Sequence, residues 1–161
     1  MSTTSLKARL SLMKMRTKMS RPIYEGAMDL AREHDIMGQV SAKWGVQYYK
    51  LPMSYRLDFI LMSADKAKAF VECKHRNFVW GKYPDVMISM SKVMAAEQML
   101  QITGMRTMFV VRATDRIFYV QLNRCAANVD WLKFGGRTAN TRDDGDIEPV
   151  YHIPIEEFAE L

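Results

Sequence analysis

The 161-residue sequence predicts an α/β domain in which helices flank a mixed β-sheet, with the core elements in the order αβββαβ. Three observations carry that expectation. Apolar residues recur at helical spacing in two segments, 22–34 and 87–103, while β-branched and aromatic runs at 40–49, 57–62, 69–74, 108–111 and 117–122 have strand composition. Helical segments alternate with strand-like runs, the arrangement that sets helices against a sheet. With 48% apolar and 11% aromatic residues, the chain can bury one sizeable core, so residues 22–161 are expected to form a single domain.

Local signals justify each element in turn. Pro22 suits the first turn of a helix, Ile23, Ala27, Leu30 and Ala31 follow at helical spacing, and Gly38 is expected to help end it. Pro52 breaks the strand after it. The runs at 57–62 and 69–74 read as a hairpin whose loop is the polar break 63–68. An aromatic loop at 78–84 leads to the second helix, which Gly104 stops. Two strands then join across Thr114-Asp115. A short helix at 126–133, the polar loop GGRTANTRDDGD and a last strand at 150–153 complete the chain.

Charge is unevenly placed. Residues 1–21 carry six basic side chains and no acid, residues 22–141 a further net +5, and residues 142–161 a net −6. The basic arm, with Lys14, Arg16 and Lys18, suits the phosphate backbone of DNA or RNA, and equally a solvated terminus; its Ser, Thr and Arg also resemble a transit peptide. No run approaches the ~18 apolar residues that span a bilayer, and no apolar region near the start suggests secretion. A cytoplasmic protein of a bacterial or phage-infected cell is expected, without a membrane partner. Cys73 and Cys125 stand alone, without the paired spacing of a zinc or redox site.

The chemistry concentrates in YRLDFILMSADKAKAFVECKHR, residues 55–76. Side chains alternate along a strand, so Glu72 and Lys74 share a face about 7 Å apart, and a hairpin centred near residue 65 sets Asp58 opposite Glu72 or within one residue of it. Two carboxylates that close repel unless a cation stands between them. Magnesium takes one or two carboxylates and completes its shell with water and phosphate, which makes Asp58 and Glu72 candidate ligands for Mg2+ or Mn2+. Lys74 is placed to orient water or offset developing charge. The bland alternative is a surface ion pair of little worth. Arg76 alternates onto the Glu72 face and is a candidate phosphate contact, while His75 turns away. Arg137 and Arg142 stand in the glycine-containing loop, which is either a phosphate grip or a plain connection.

Asp58, followed after thirteen residues by Glu72-Cys73-Lys74, with a helix bearing Glu25 before and a helix and strand pair after, resembles the PD-(D/E)XK nuclease superfamily in its small phage and prophage form. The resemblance implies a restriction-endonuclease-like core. Asp58 and Glu72 would be the metal ligands, Lys74 the catalytic lysine, Glu25 the first-helix acid that completes the site, and Lys92 a basic helper on the second helix, counted among the DNA contacts. Leu57, not proline, precedes the aspartate, and the literal Pro84-Asp85 is expected to cap or start the next helix. The implied function is a metal-dependent DNA endonuclease of junction-resolving type, acting as a dimer. The alternatives are a repair or recombination exonuclease and a non-catalytic DNA-binding protein of the same fold.

Overall fold

The computed structural model describes residues 26–136 and 147–161. Helix α1, Ala27–Trp44, opens the described chain. It runs past Gly38, because Ile36, Met37 and Val40 continue one apolar stripe that is fully buried, and that burial outweighs the roughly 1 kcal/mol a helical glycine costs. Gly45 ends the helix instead, in the left-handed region at φ 64°, with a cap hydrogen bond to Ser41 O. The strand expected over 40–49 therefore shrinks to β1, Gln47–Lys50.

After a 3-10 turn at Met53–Tyr55, β2, Phe59–Ser63, and β3, Lys66–His75, form the hairpin. Its loop is tighter than expected: Ala64 and Asp65, both at positive φ (48° and 59°), make a two-residue turn between the paired Ser63 and Lys66. The pairing then slips at Leu61/Met62, where Met62 faces Ala67 but Leu61 faces Ala69, so Lys68 is an extra residue in β3.

Residues 85–89, read from the sequence as leading into the second helix, form strand β4, Asp85–Ser89. Val86 and Ile88 are buried at a spacing of two, a period only a strand satisfies, and Asp85 accepts a hydrogen bond from His152 Nδ1 at 2.8 Å instead of capping a helix. Helix α2, Met90–Thr103, starts after the Ser89 cap and stops at Gly104, φ 72°. Strands β5, Thr107–Arg112, and β6, Ile117–Gln121, follow as expected. The helix expected at 126–133 is replaced by the short helix α3, Leu122–Cys125, a 3-10 turn at Val129–Trp131 and strand β7, Leu132–Gly136. The last expected strand lengthens to β8, Ile147–Pro154, and β9, Ala159–Glu160, adds an edge.

Six strands make the main sheet, in the order β1-β2-β3-β5-β6-β9, and three make a smaller one, β4-β8-β7. The main sheet is mixed, since β3 and β5 run parallel while the other pairs are antiparallel. Helix α1 covers one face, with Ile36, Met37 and Val40 against Phe59, Leu61, Val71, Cys73 and Val110. Helix α2 and the small sheet cover the other, with Val86, Ile88, Val93 and Ala96 against Phe109, Val111 and Val120. Trp80 of the aromatic loop stacks on Phe118 at 3.8 Å between ring centroids, which makes it core. Among the described residues, no helix is long and apolar enough to cross a membrane.

Candidate active site

Alternation along β3 decides what faces what. Val71 and Cys73 point into the α1 core; Glu72 and Lys74 therefore point to the α2 side, Glu72 in register with Phe109. Asp58 stands one step beyond the Phe59–Val71 pair, across from Glu72. The extra Lys68 makes this so: with the register of the hairpin tip carried on unbroken, Asp58 would face Val71 and lie on the opposite side of the sheet.

Glu72 is 0% exposed. Its Oε1 meets Lys74 Nζ at 2.7 Å and its Oε2 meets Lys92 Nζ at 2.7 Å, though neither oxygen receives a well-directed hydrogen bond. Lys92 Nζ also stands 3.7 Å from Asp58 Oδ1, and Asp58 Oδ2 accepts from the Cys73 backbone N–H at 2.8 Å. One ammonium is thus shared by both carboxylates. Burial, and then the Asp58 charge, push the Glu72 carboxyl above its ordinary range against the pull of Lys74 and Lys92. Burial draws Lys74 down, but the Glu72 and Asp58 carboxylates more than reverse this and hold its amine above the usual lysine range.

An open cleft of about 1160 Å3 gives access, lined by Asp58, Lys74, Arg76 and Lys92 and, from α1, by Glu33. Lys74 keeps a third of its side chain exposed there. Arg76 donates to Met87 O at 3.0 Å, tying β3 to β4 at the cleft wall. Lys92, expected among the DNA contacts, is drawn instead between the two acids. It is the third residue of α2, in the turn where the helix dipole disfavours a cation; the carboxylates offset that cost. Glu25, Lys14, Arg16, Lys18, Arg137 and Arg142 lie outside the described residues.

Glu33 was missed by the sequence reading. It stands three and four residues before the buried Ile36 and Met37 on α1 and is paired with Lys50 Nζ at 2.6 Å. An acid continuing an apolar helical stripe was the available signal, hidden because the helix was ended too early.

The residues present fit a divalent ion. Asp58 and Glu72 already converge on a single cationic group and offer the hard oxygen donors magnesium takes, with the cleft open to water and phosphate. Among the described residues no group of three or more His, Cys, Asp or Glu side chains is gathered around one point.

Comparison with known proteins bears on the same elements. Residues 19–161 match the family described as "Phage putative PDDEXK endonuclease". No curated protein matches the chain. Among solved structures, the fold is similar to that of Archaeoglobus fulgidus Hjc, a Holliday junction resolvase from an archaeal hyperthermophile, with TM-score 0.51 and 9% identity over 81% of this chain and 92% of that one. A nuclease from a fusselovirus matches with TM-score 0.48 and 15% identity over 88% of this chain and 91% of that one.

Proposed function

The chain belongs to the family of phage PDDEXK endonucleases, and from that premise we propose that it is a Mg2+- or Mn2+-dependent DNA endonuclease whose site is Asp58, Glu72 and Lys74. The observation that carries the assignment is the convergence of the Asp58 and Glu72 carboxylates on one shared cation, with the Lys74 ammonium on the far oxygen of Glu72. A carboxylate buried completely has no stabilising reason to be ionised beside a second one, which points to a task.

Asp58 and Glu72 would hold the ion, which when bound supplies an activated water and charge stabilisation at the phosphate. Lys74 acts as a donor. Its ammonium, held on Glu72 Oε1 at 2.7 Å and partly open to the cleft, is suited to orient that water and to stabilise the charge gathering on the phosphate oxygens. The Cys73 N–H fixes the rotamer of Asp58. Asp29 and Glu33 are both α1 acids at this cleft; Asp29 is half exposed and turned to Arg32, and we assign to Glu33 the supporting role that the resemblance first gave to Glu25.

The fold shared with a Holliday junction resolvase favours branched DNA as substrate. Incubation of labelled four-way junction, linear duplex and single strands with Mg2+, with Mn2+ and with chelator tests the reading. Cleavage only with metal, strongest on the junction, is expected; in Lys74→Ala, cleavage is lost while binding persists. Binding without cleavage under every condition would overturn the enzyme in favour of a DNA-binding protein of this fold.

A further inference from the structure

Beyond the cleft, on the other face of β3, lies a second basic pocket. His75 and Arg112 end adjacent parallel strands as a register pair, held together by Arg76 N–H donating to Arg112 O at 2.7 Å. Arg32 and Asp35 of α1 close over them to form a pocket of about 330 Å3. Arg32 and His75 line the main cleft as well, so the two spaces join around the carboxyl end of β3.

Resting on the nuclease reading, we propose that Arg32, His75 and Arg112 grip a backbone phosphate of the DNA strand next to the one that is cut. Three features support it. The His75 imidazole is exposed and makes no hydrogen bond to another described residue. Burial, and then the Arg32, Arg112 and Arg76 charges, hold it below its ordinary pKa. The acids nearby are weakly committed: Asp35 pairs with Arg112 while 62% exposed, and Asp29 meets Arg32 at 3.7 Å while 54% exposed. Exposed pairs of this kind contribute little, and a phosphate, which guanidinium binds through two parallel hydrogen bonds, displaces them readily. Asp35 is then a competitor for the phosphate's place on Arg112.

That competition gives the test opposite signs. Binding of fluorescent duplex to the full chain is followed by anisotropy in chelator over a salt series, so that no strand is cut. Arg112→Gln is expected to weaken binding about tenfold and to make the salt dependence shallower by about one unit of log K per log salt. Asp35→Asn, isosteric and without the competing charge, is expected to tighten binding several-fold. Lys66→Gln at the far end of β3 serves as the control for bulk charge and should change little; His75→Gln replaces Arg112→Gln should the latter melt early. Variants that bind as wild type, an Asp35→Asn that weakens binding, or a Lys66→Gln that weakens it as much as Arg112→Gln would each overturn the pocket while leaving the nuclease reading standing. A wild-type chain that neither binds nor cuts DNA would sink both.

Discussion

Replacing Lys92 with methionine separates a shared ammonium from mere proximity. The substitution keeps an unbranched stem one atom shorter and removes the charge that meets Glu72 at 2.7 Å and Asp58 at 3.7 Å. A hydrogen bond or close contact to a charged group contributes roughly 1.5–3 kcal/mol. Glu72, fully buried, is left with Lys74 alone, whereas the longer Asp58 contact, with a quarter of the lysine exposed, adds little. The expected loss is about 2 kcal/mol. For a domain of this length that lowers Tm by roughly 4–8 °C. The loss is read by thermal and urea unfolding in chelator, and the measurement is repeated with divalent metal. An ion bound to the folded state at a hundred times its Kd adds about 2.7 kcal/mol. It also compensates the two carboxylates where Lys92 did, so the gap between variant and wild type should narrow. Equal Tm values in chelator, or a gap that metal leaves untouched, would refute the bridging role.

Other expectations follow from single contacts. Glu72 holds its proton more tightly folded than unfolded, so it costs stability as pH rises from the ordinary carboxylate range through its raised value; in urea titrations under chelator, Glu72→Gln should flatten that decline, and unchanged slopes would argue against it. Asn123 accepts from Thr107 N–H at 2.6 Å and donates to Ala96 O at 2.9 Å, both buried, so Asn123→Ala should lower the urea-derived stability by about 3 kcal/mol. Burial pushes the Cys125 thiol up to about 12 and the Cys73 thiol above its ordinary range; both should resist iodoacetamide at pH 8 until the chain unfolds, and rapid native labelling would contradict that burial. Gly104→Ala forces a side chain into φ 72° and should cost about 1 kcal/mol by the same unfolding assay.

Much of the main sheet was legible because its signals are local. Gly104 ended α2 as expected, while hairpin counting set Asp58 near Glu72 only because a loop placed too wide, at 63–68, offset the unseen extra residue Lys68. The failures share a cause in distance along the chain. Residues 85–89 are a strand because β8, some sixty residues later, pairs with them; without that partner they read as the start of a helix. Moving the helix start to Met90 is also what exposes Lys92 as a misplaced cation of the first turn. Gly38 looked like a stop because its flanking stripe meets Phe59 and Val71 only in the folded chain. Lys68 looked like loop, yet it is the residue that sets the pairing.

The slip at Leu61 and Met62 makes catalysis in this hairpin a question of odd and even. One residue added to β3 between the slip and the acids, and paired there, would leave a well-paired ribbon with its aspartate on the α1 side and its glutamate alone. Two added would return both to the same side. A single residue inserted into β3 should therefore abolish cleavage in a chain that still folds, whereas deletion of Lys68 should only close the slip and leave Asp58 opposite Glu72.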